Sequence, residues 1–204
     1  MKKLTVIIFI LACVCTNAFS QNSLGKSATE ITVEVEINLP IEKVWASISK
    51  IEDFYLSSPT VSNSTIISDI KYGIGAVRHL EMSKMIKEGA ILDEKVTEWE
   101  EGTFQKLEVI NIVKVAGIQT MGGDFRLKRS GNNTILTSSL HYSMKNNMWG
   151  MMNNMMGVRK FTKTWASIVA GIKKHAETNE DVTENTKLDL SQVKILSIKK
   201  HLER

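Results

Sequence analysis

Arg78 and Glu94 are the two side chains best placed to do chemistry in this sequence. Arg78 lies in Gly73-Ile-Gly-Ala-Val-Arg-His-Leu-Glu-Met82, which reads as a strand opened by two glycines. Glu94 lies in Gly89-Ala-Ile-Leu-Asp-Glu-Lys-Val-Thr97, which reads as the next strand. Side chains alternate along a strand. Arg78 therefore shares a face with Leu80 and Met82, and Glu94 shares one with Ala90, Leu92 and Val96. A hairpin turn centred near residue 86 sets the cation and the carboxylate side by side on an apolar face. Charges on such a face need a partner or a use. Two readings follow. The guanidinium can offer its fork of donors to a carbonyl or carboxylate while the glutamate moves a proton. Alternatively the two form a structural ion pair that only polarises its surroundings.

Further polar groups share that inward parity. Ser138 and Tyr142 alternate with Leu136 and Leu140 on a later strand, where a hydroxyl either fixes a ligand's polar group or is satisfied within the core. Methionine is dense at positions 144, 148, 151, 152, 155 and 156. Its flexible, polarisable side chain adapts to ligands of varied shape. Met151, Met152, Met155 and Trp165 are thus expected to line a pocket or to form plain core. Soft copper would be the metal for such a segment, but it ordinarily recruits His or Cys. The nearby His141 faces outward by parity, as does His79. The histidine spacing makes no zinc site. No strained Gly-x-Ser-x-Gly elbow supports a serine triad. Gly73-x-Gly75 leads into a strand, so it is no phosphate loop. The sequence calls for no metal and no cofactor.

The elements that must position these groups follow from periodicity. Residues 31–39 alternate as a half-buried strand, and Pro40 then opens a helix in which Ile41, Val44, Trp45 and Ile48 share one face. Asp53 to Pro59 reads as a second short helix. Segments 63–70, 75–83, 88–99, 103–114, 117–129 and 133–144 read as strands divided by glycine-containing turns, an antiparallel meander. The period then changes. Residues 147–177 hold no proline and recur at helical spacing through Phe161, Trp165, Ile168, Val169 and Ile172, with cationic residues in the last turns. The tail 178–204 fits a short helix, a strand or an unstructured segment equally well. The resulting fold class is α+β: a curved sheet of seven antiparallel strands wrapped around one long C-terminal helix. One helix covers such a sheet only in part and leaves a cavity.

The first twenty of the 204 residues have a different character. Lys2 and Lys3, the apolar run Leu4 to Val14, and Ala18-Phe19-Ser20 before Gln21 have the form of a secretory signal peptide. Residues 21–29 then read as a linker and 30–177 as the domain. The expected location is periplasmic or secreted, with no membrane span after cleavage. Both cysteines, Cys13 and Cys15, fall in the leader, so the mature chain would have no thiol chemistry. Ile10-Leu-Ala-Cys13 also looks like a lipoprotein processing box, which would attach a lipid anchor at Cys13. The formal charge of +4 includes Lys2 and Lys3, and both signs are mixed through the remainder. That excludes a nucleic-acid footprint.

The order and spacing of these elements resembles the helix-grip (SRPBCC) superfamily, which includes START-like domains, the birch-pollen allergen family and the polyketide cyclase/dehydrase family. The segments that carry the resemblance are Leu39-Pro-Ile-Glu-Lys-Val-Trp45, Gly75-x-x-Arg78, Asp93-Glu94 and Gly131-Asn-Asn-Thr134. It spans roughly residues 30–177. The resemblance implies a deep pocket for a lipid, polyketide, steroid or other small hydrophobic molecule. In the plant lachrymatory-factor synthase branch, an arginine and a glutamate at similar places are proposed catalytic groups, which gives Arg78 and Glu94 that role by position. The family commonly has a tryptophan near Ser138, so ligand identity does not carry over. The expected function is an exported carrier of a small hydrophobic ligand. The alternatives are an enzyme of the cyclase, dehydratase or isomerase type and, more weakly, a protein-interaction module.

Overall fold

The computed structural model describes the backbone of residues 27–145 and 148–202 and the side chains of 28–145 and 157–200. The strands are β1 (Ser27–Ile37), β2 (Val61–Ile66), β3 (Val77–Met82), β4 (Ile91–Glu100), β5 (Phe104–Val113), β6 (Ile118–Ser130), β7 (Asn133–Met144) and β8 (Lys194–Leu202). Helix α1 (Ile41–Ile48) and a 3-10 helix at Ile51–Leu56 separate β1 from β2, and helix α2 (Met148–Thr178) follows β7. All strands belong to one antiparallel sheet in the order β2-β3-β4-β5-β6-β7-β1-β8. The segment between β1 and β2 therefore crosses from one side of the sheet to the other.

Alternation decides which face becomes core. Ile31, Val33, Val35 and Ile37 of β1 are buried while Glu36 and Glu34 between them are not. Leu136, Ser138, Leu140, Tyr142 and Met144 do the same on β7. Val44, Trp45 and Ile48 bury the apolar face of α1, and Trp165, Ile168, Val169 and Ile172 bury that of α2. These are the residues whose spacing marked those faces. The strand β2 is shorter than its expected span because residues 67–76 form a loop, with Gly73 at φ 75° and Gly75 at φ 92°, in the left-handed region that favours glycine.

The seven expected strands are present, and the tail supplies an eighth. Without β8, β1 would present a bare edge of backbone donors and acceptors. Residues 194–202 pair with it from Ser27↔Leu202 to Glu34↔Lys194, through a bulge at Thr32/Val33. The connection from α2 is pinned where the Val182 amide donates to the Leu56 carbonyl at 2.8 Å and its side chain, 1% exposed, packs under the fold.

The outer face of the sheet carries a polar network. His141 Nε2 lies 3.2 Å from both carboxylate oxygens of Glu108, and Lys106 bridges Glu108 at 3.5 Å and Glu98 at 3.0 Å. Gly122 makes this possible, because a Cβ there would fall 2.4 Å from His141 Nε2. His141 thus faces outward as expected, yet it is buried by this network. His79 also faces outward, with Nδ1 2.6 Å from Asp93 Oδ1. Burial lifts the Asp124 carboxyl above its ordinary value, against the opposing pull of the Ser139 backbone, His141 and Arg126. The folded state then holds more protons than the unfolded state above the unfolded value, so stability falls as pH rises through the window up to the raised value. Asp124→Asn removes the half-buried charge and keeps the shape. It should melt higher than the parent near pH ~7 and with it near pH ~3. Equal melting temperatures at the higher pH would count against this account.

Candidate functional site

The sheet places Arg78 directly opposite Glu94. Arg78 Nε and Nη2 both donate to Glu94 Oε2, at 2.8 and 2.5 Å, and Nη1 donates to the Ile51 carbonyl at 3.2 Å. The guanidinium carbon sits 4.2 Å from the centroid of the Phe54 ring, a cation–π contact. Arg78 is 3% exposed and the Glu94 side chain 16%. The arginine is thus held from three sides, and its bonds tie the 3-10 helix to the sheet. Ser64 Oγ does the same work, donating to the Ile51 carbonyl at 3.0 Å, and Gln105 Nε2 ties the end of α1 to the sheet through the Ile48 carbonyl at 2.8 Å. Both hydrogen bonds from Arg78 fall on one carboxylate oxygen of Glu94. The other, Oε1, accepts none from the described residues.

Beside this pair is a cavity of about 340 Å³. Its walls are the inner faces of β2 to β7, Phe54 from the 3-10 helix, and α2 from Gly157 to Ile168. The lining is predominantly aliphatic and aromatic, through Leu80, Leu92, Leu107, Ile118, Phe125 and Trp165. Trp165 stacks on Phe125 at 5.8 Å between ring centroids. Gly123 admits that indole, since a Cβ there would meet Trp165 Cη2 at 2.6 Å. At one end the cavity reaches the loops after β3 and β5, through Ile86, Lys87 and Lys114 to Ala116.

The expected site residues divide into three groups. Arg78, Glu94, Leu80, Met82, Leu92 and Trp165 all border the cavity. Ser138 and Tyr142 face inward but are not among the residues that border it, for a simple reason. Ser138 Oγ donates to the Asp124 carbonyl at 2.7 Å and is fully buried. Tyr142 lies one layer back, stacked on Phe161 at 4.2 Å between centroids, and it is Phe161 that meets the cavity. Burial raises the Tyr142 phenol above its ordinary value, with Thr29 opposing. The side chains of Met151, Met152 and Met155 lie outside the described residues, as does Cys13. Met144 does border the cavity.

Several wall residues had escaped the sequence reading although their signals were present. Met121 and Phe125 have the inward parity of β6. Phe161 and Ile168 flank Trp165 at helical spacing. Phe54 carried no periodic signal, because a six-residue 3-10 helix is too short to show one. No cluster of His, Cys, Asp or Glu among the described residues has the form of a metal site. No helix among them is long and apolar enough to cross a membrane.

A curved antiparallel sheet closed by one long C-terminal helix over an apolar cavity defines a START-like helix-grip protein. The comparisons are more specific. Residues 28–177 match the family model described as polyketide cyclase / dehydrase and lipid transport, and the chain belongs to that family. No curated protein is significantly similar in sequence. Among solved structures, protein TTHA0849 of Thermus thermophilus superimposes with a TM-score of 0.61 at 14% identity, over 72% of this chain and 96% of that one. A START superfamily protein of Mycobacterium smegmatis gives 0.57 at 13% identity, over 72% and 98%. The major latex-like protein 151 of Panax ginseng gives 0.56 at 12% identity, over 74% and 99%. At such identities the likeness is one of fold.

Proposed function

We propose that this protein is a carrier that binds one small hydrophobic molecule in the cavity between the sheet and α2. The observation that carries the reading is the cavity itself, about 340 Å³ of largely apolar wall, at the lower end of the roughly 300–1,000 Å³ typical of small-molecule sites. A matched apolar ligand gains from every Å² of surface it removes from water. The neutral fluorophore N-phenyl-naphthylamine is the direct test. It should brighten on binding the parent, and Met82→Trp should abolish the signal by filling the cavity while melting stays cooperative. Binding that survives this variant would place the probe elsewhere. Native mass spectrometry of protein isolated from its own compartment then identifies the natural ligand class.

One observation favours a second reading, turnover of the cyclase, dehydratase or isomerase type. Glu94 borders the cavity, and its Oε1 accepts no hydrogen bond from the described residues, which leaves that oxygen free to take a ligand's proton. The same site weighs against an electrophilic role for Arg78, because three of its five N–H donors, Nε–H among them, already serve Glu94 and Ile51. Binding without turnover is therefore the stronger reading. Glu94→Gln separates the two, because it keeps the size and accepts from Arg78 but removes the base. A carrier should bind the naphthylamine within about twofold of the parent, with the co-purified ligand chemically unchanged in both. Accumulation of an altered, precursor-like molecule in the variant alone would establish turnover.

We also infer export to the periplasm or exterior, supported by Lys2, Lys3, the apolar run to Val14 and the small residues before Gln21. A mature N-terminus at Gln21 is expected. A lipid-modified N-terminus at Cys13 would replace the soluble form with an anchored one.

A further inference from the structure

The chemistry of the cavity's open end is unlike that of its interior. Lys87 from the loop after β3, Lys114 from the loop after β5 and Lys160 from α2 all border the cavity, and all three are exposed to solvent. Among the described residues none of the three forms a salt bridge, whereas Lys106, Lys173, Lys174 and Lys199 all do. The one carboxylate that borders the cavity among the described residues is Glu94, which is matched by Arg78. The lining therefore carries three uncompensated cations, all at or near the rim.

The backbone shows that one of them is held there at a cost. Lys114 adopts φ 58°, one of two non-glycine residues in the left-handed region among those described. That conformation is strained for a residue with a Cβ, and such outliers concentrate at binding and switch sites. Its ammonium crosses to the facing loop, where a Cβ on Gly89 would lie 3.0 Å from Nζ. Gly89 itself has φ 70° and no side chain to obstruct the crossing. The two loops thus bring Lys114 against the segment that carries Lys87, with Lys160 presented from the helix.

We propose that the ligand is an anionic amphiphile: a single apolar chain or ring system inside the cavity, with a carboxylate or phosphate held by Lys87, Lys114 and Lys160 at the rim. This rests on the cavity being a ligand site. The cavity volume suits one chain rather than the two of a phospholipid. Lysine suits the rim because it is a flexible point charge that follows either headgroup, where arginine would select a planar one.

Titration calorimetry with dodecanoate, dodecyl phosphate and dodecanol separates the parts of the proposal. At low salt the two anions should bind about tenfold tighter than the alcohol, since several exposed ion pairs each add a modest gain. That preference should collapse in about 0.5 M salt, where screening is strong. It should also collapse in the variant carrying Lys87→Gln, Lys114→Asn and Lys160→Gln, in which asparagine tolerates the left-handed backbone, while dodecanol binding is retained. Inorganic phosphate should fail to displace the naphthylamine probe. Equal affinity for acid and alcohol would overturn the headgroup assignment and leave the cavity reading intact. Displacement by inorganic phosphate alone would make the rim a free-anion site and overturn it too. Failure of all three probes together with the naphthylamine would instead remove the ligand site on which the proposal rests.

Discussion

Arg78→Met should lower stability by about 3 kcal/mol, more than any other single change in the cavity wall. The variant deletes two bonds to Glu94 and one to the Ile51 carbonyl. It also leaves a largely buried carboxylate without its cation, and such a carboxylate costs more than the lost attraction alone. Methionine keeps contact with Phe54, so the loss isolates the charge rather than the packing. Adding Glu94→Met should recover part of it, because two apolar side chains facing one another across β3 and β4 are acceptable where one unpaired charge is not. Urea denaturation reads both effects as midpoint shifts at constant slope. A single variant that loses under about 1 kcal/mol would mean that water screens the pair. A double variant no better than the single one would mean that the bond to Ile51 carries the effect.

That experiment bears on how much of the site was visible in the sequence. The register of Arg78 and Glu94 was legible because strand alternation and one hairpin turn fix it, and the observed pairing is direct. What alternation cannot supply is the third partner. Ile51 is far from Arg78 in sequence and meets it only because the segment between β1 and β2 crosses the sheet. The same limit explains Ser138 and Tyr142. Parity placed both on the inward face, and both are there, but depth decides whether an inward group meets a ligand. The Asp124 carbonyl and the Phe161 ring occupy the space in front of them. The eighth strand was not legible because its apolar residues are mixed with lysines, as suits an edge strand. Ile195 and Ile198 remain substantially exposed even when paired. The lysine rim is likewise a meeting of loops and helix, and no single segment of sequence announces it.

Gly171→Ala is expected to destabilise the fold by about 2 kcal/mol and to weaken naphthylamine binding with it. In an isolated helix the same change would stabilise by about 1 kcal/mol, since glycine is the poorer helix former. Here a Cβ would lie 2.4 Å from the Ser57 carbonyl oxygen and 3.2 Å from both Pro59 Cδ and Val182 Cγ1. The first contact is backbone, so no rotamer relieves it, and overpacking of this kind costs about 1–3 kcal/mol or more. The clash therefore outweighs the propensity gain. The position also explains how one helix closes the cavity. Gly171 lets the backbone of α2 approach the segment after the 3-10 helix, and that segment continues into Thr60 and Val61 of the cavity wall. Pushing the helix outward there lifts Ile168 and Trp165, one and two turns earlier, from the inner face of the sheet. Thermal melting should fall by about 4–8 °C for a chain of this size, and probe affinity should fall in parallel. Gly157→Ala is the matched control. It lies on the same helix, and among the described residues a Cβ there would meet only the Phe161 ring at 3.4 Å, an ordinary contact. That variant should keep or raise the melting temperature. If both glycines respond alike, helix propensity rather than the approach to Ser57 governs the closure, and the rigid seat of α2 on this loop is not what shapes the cavity.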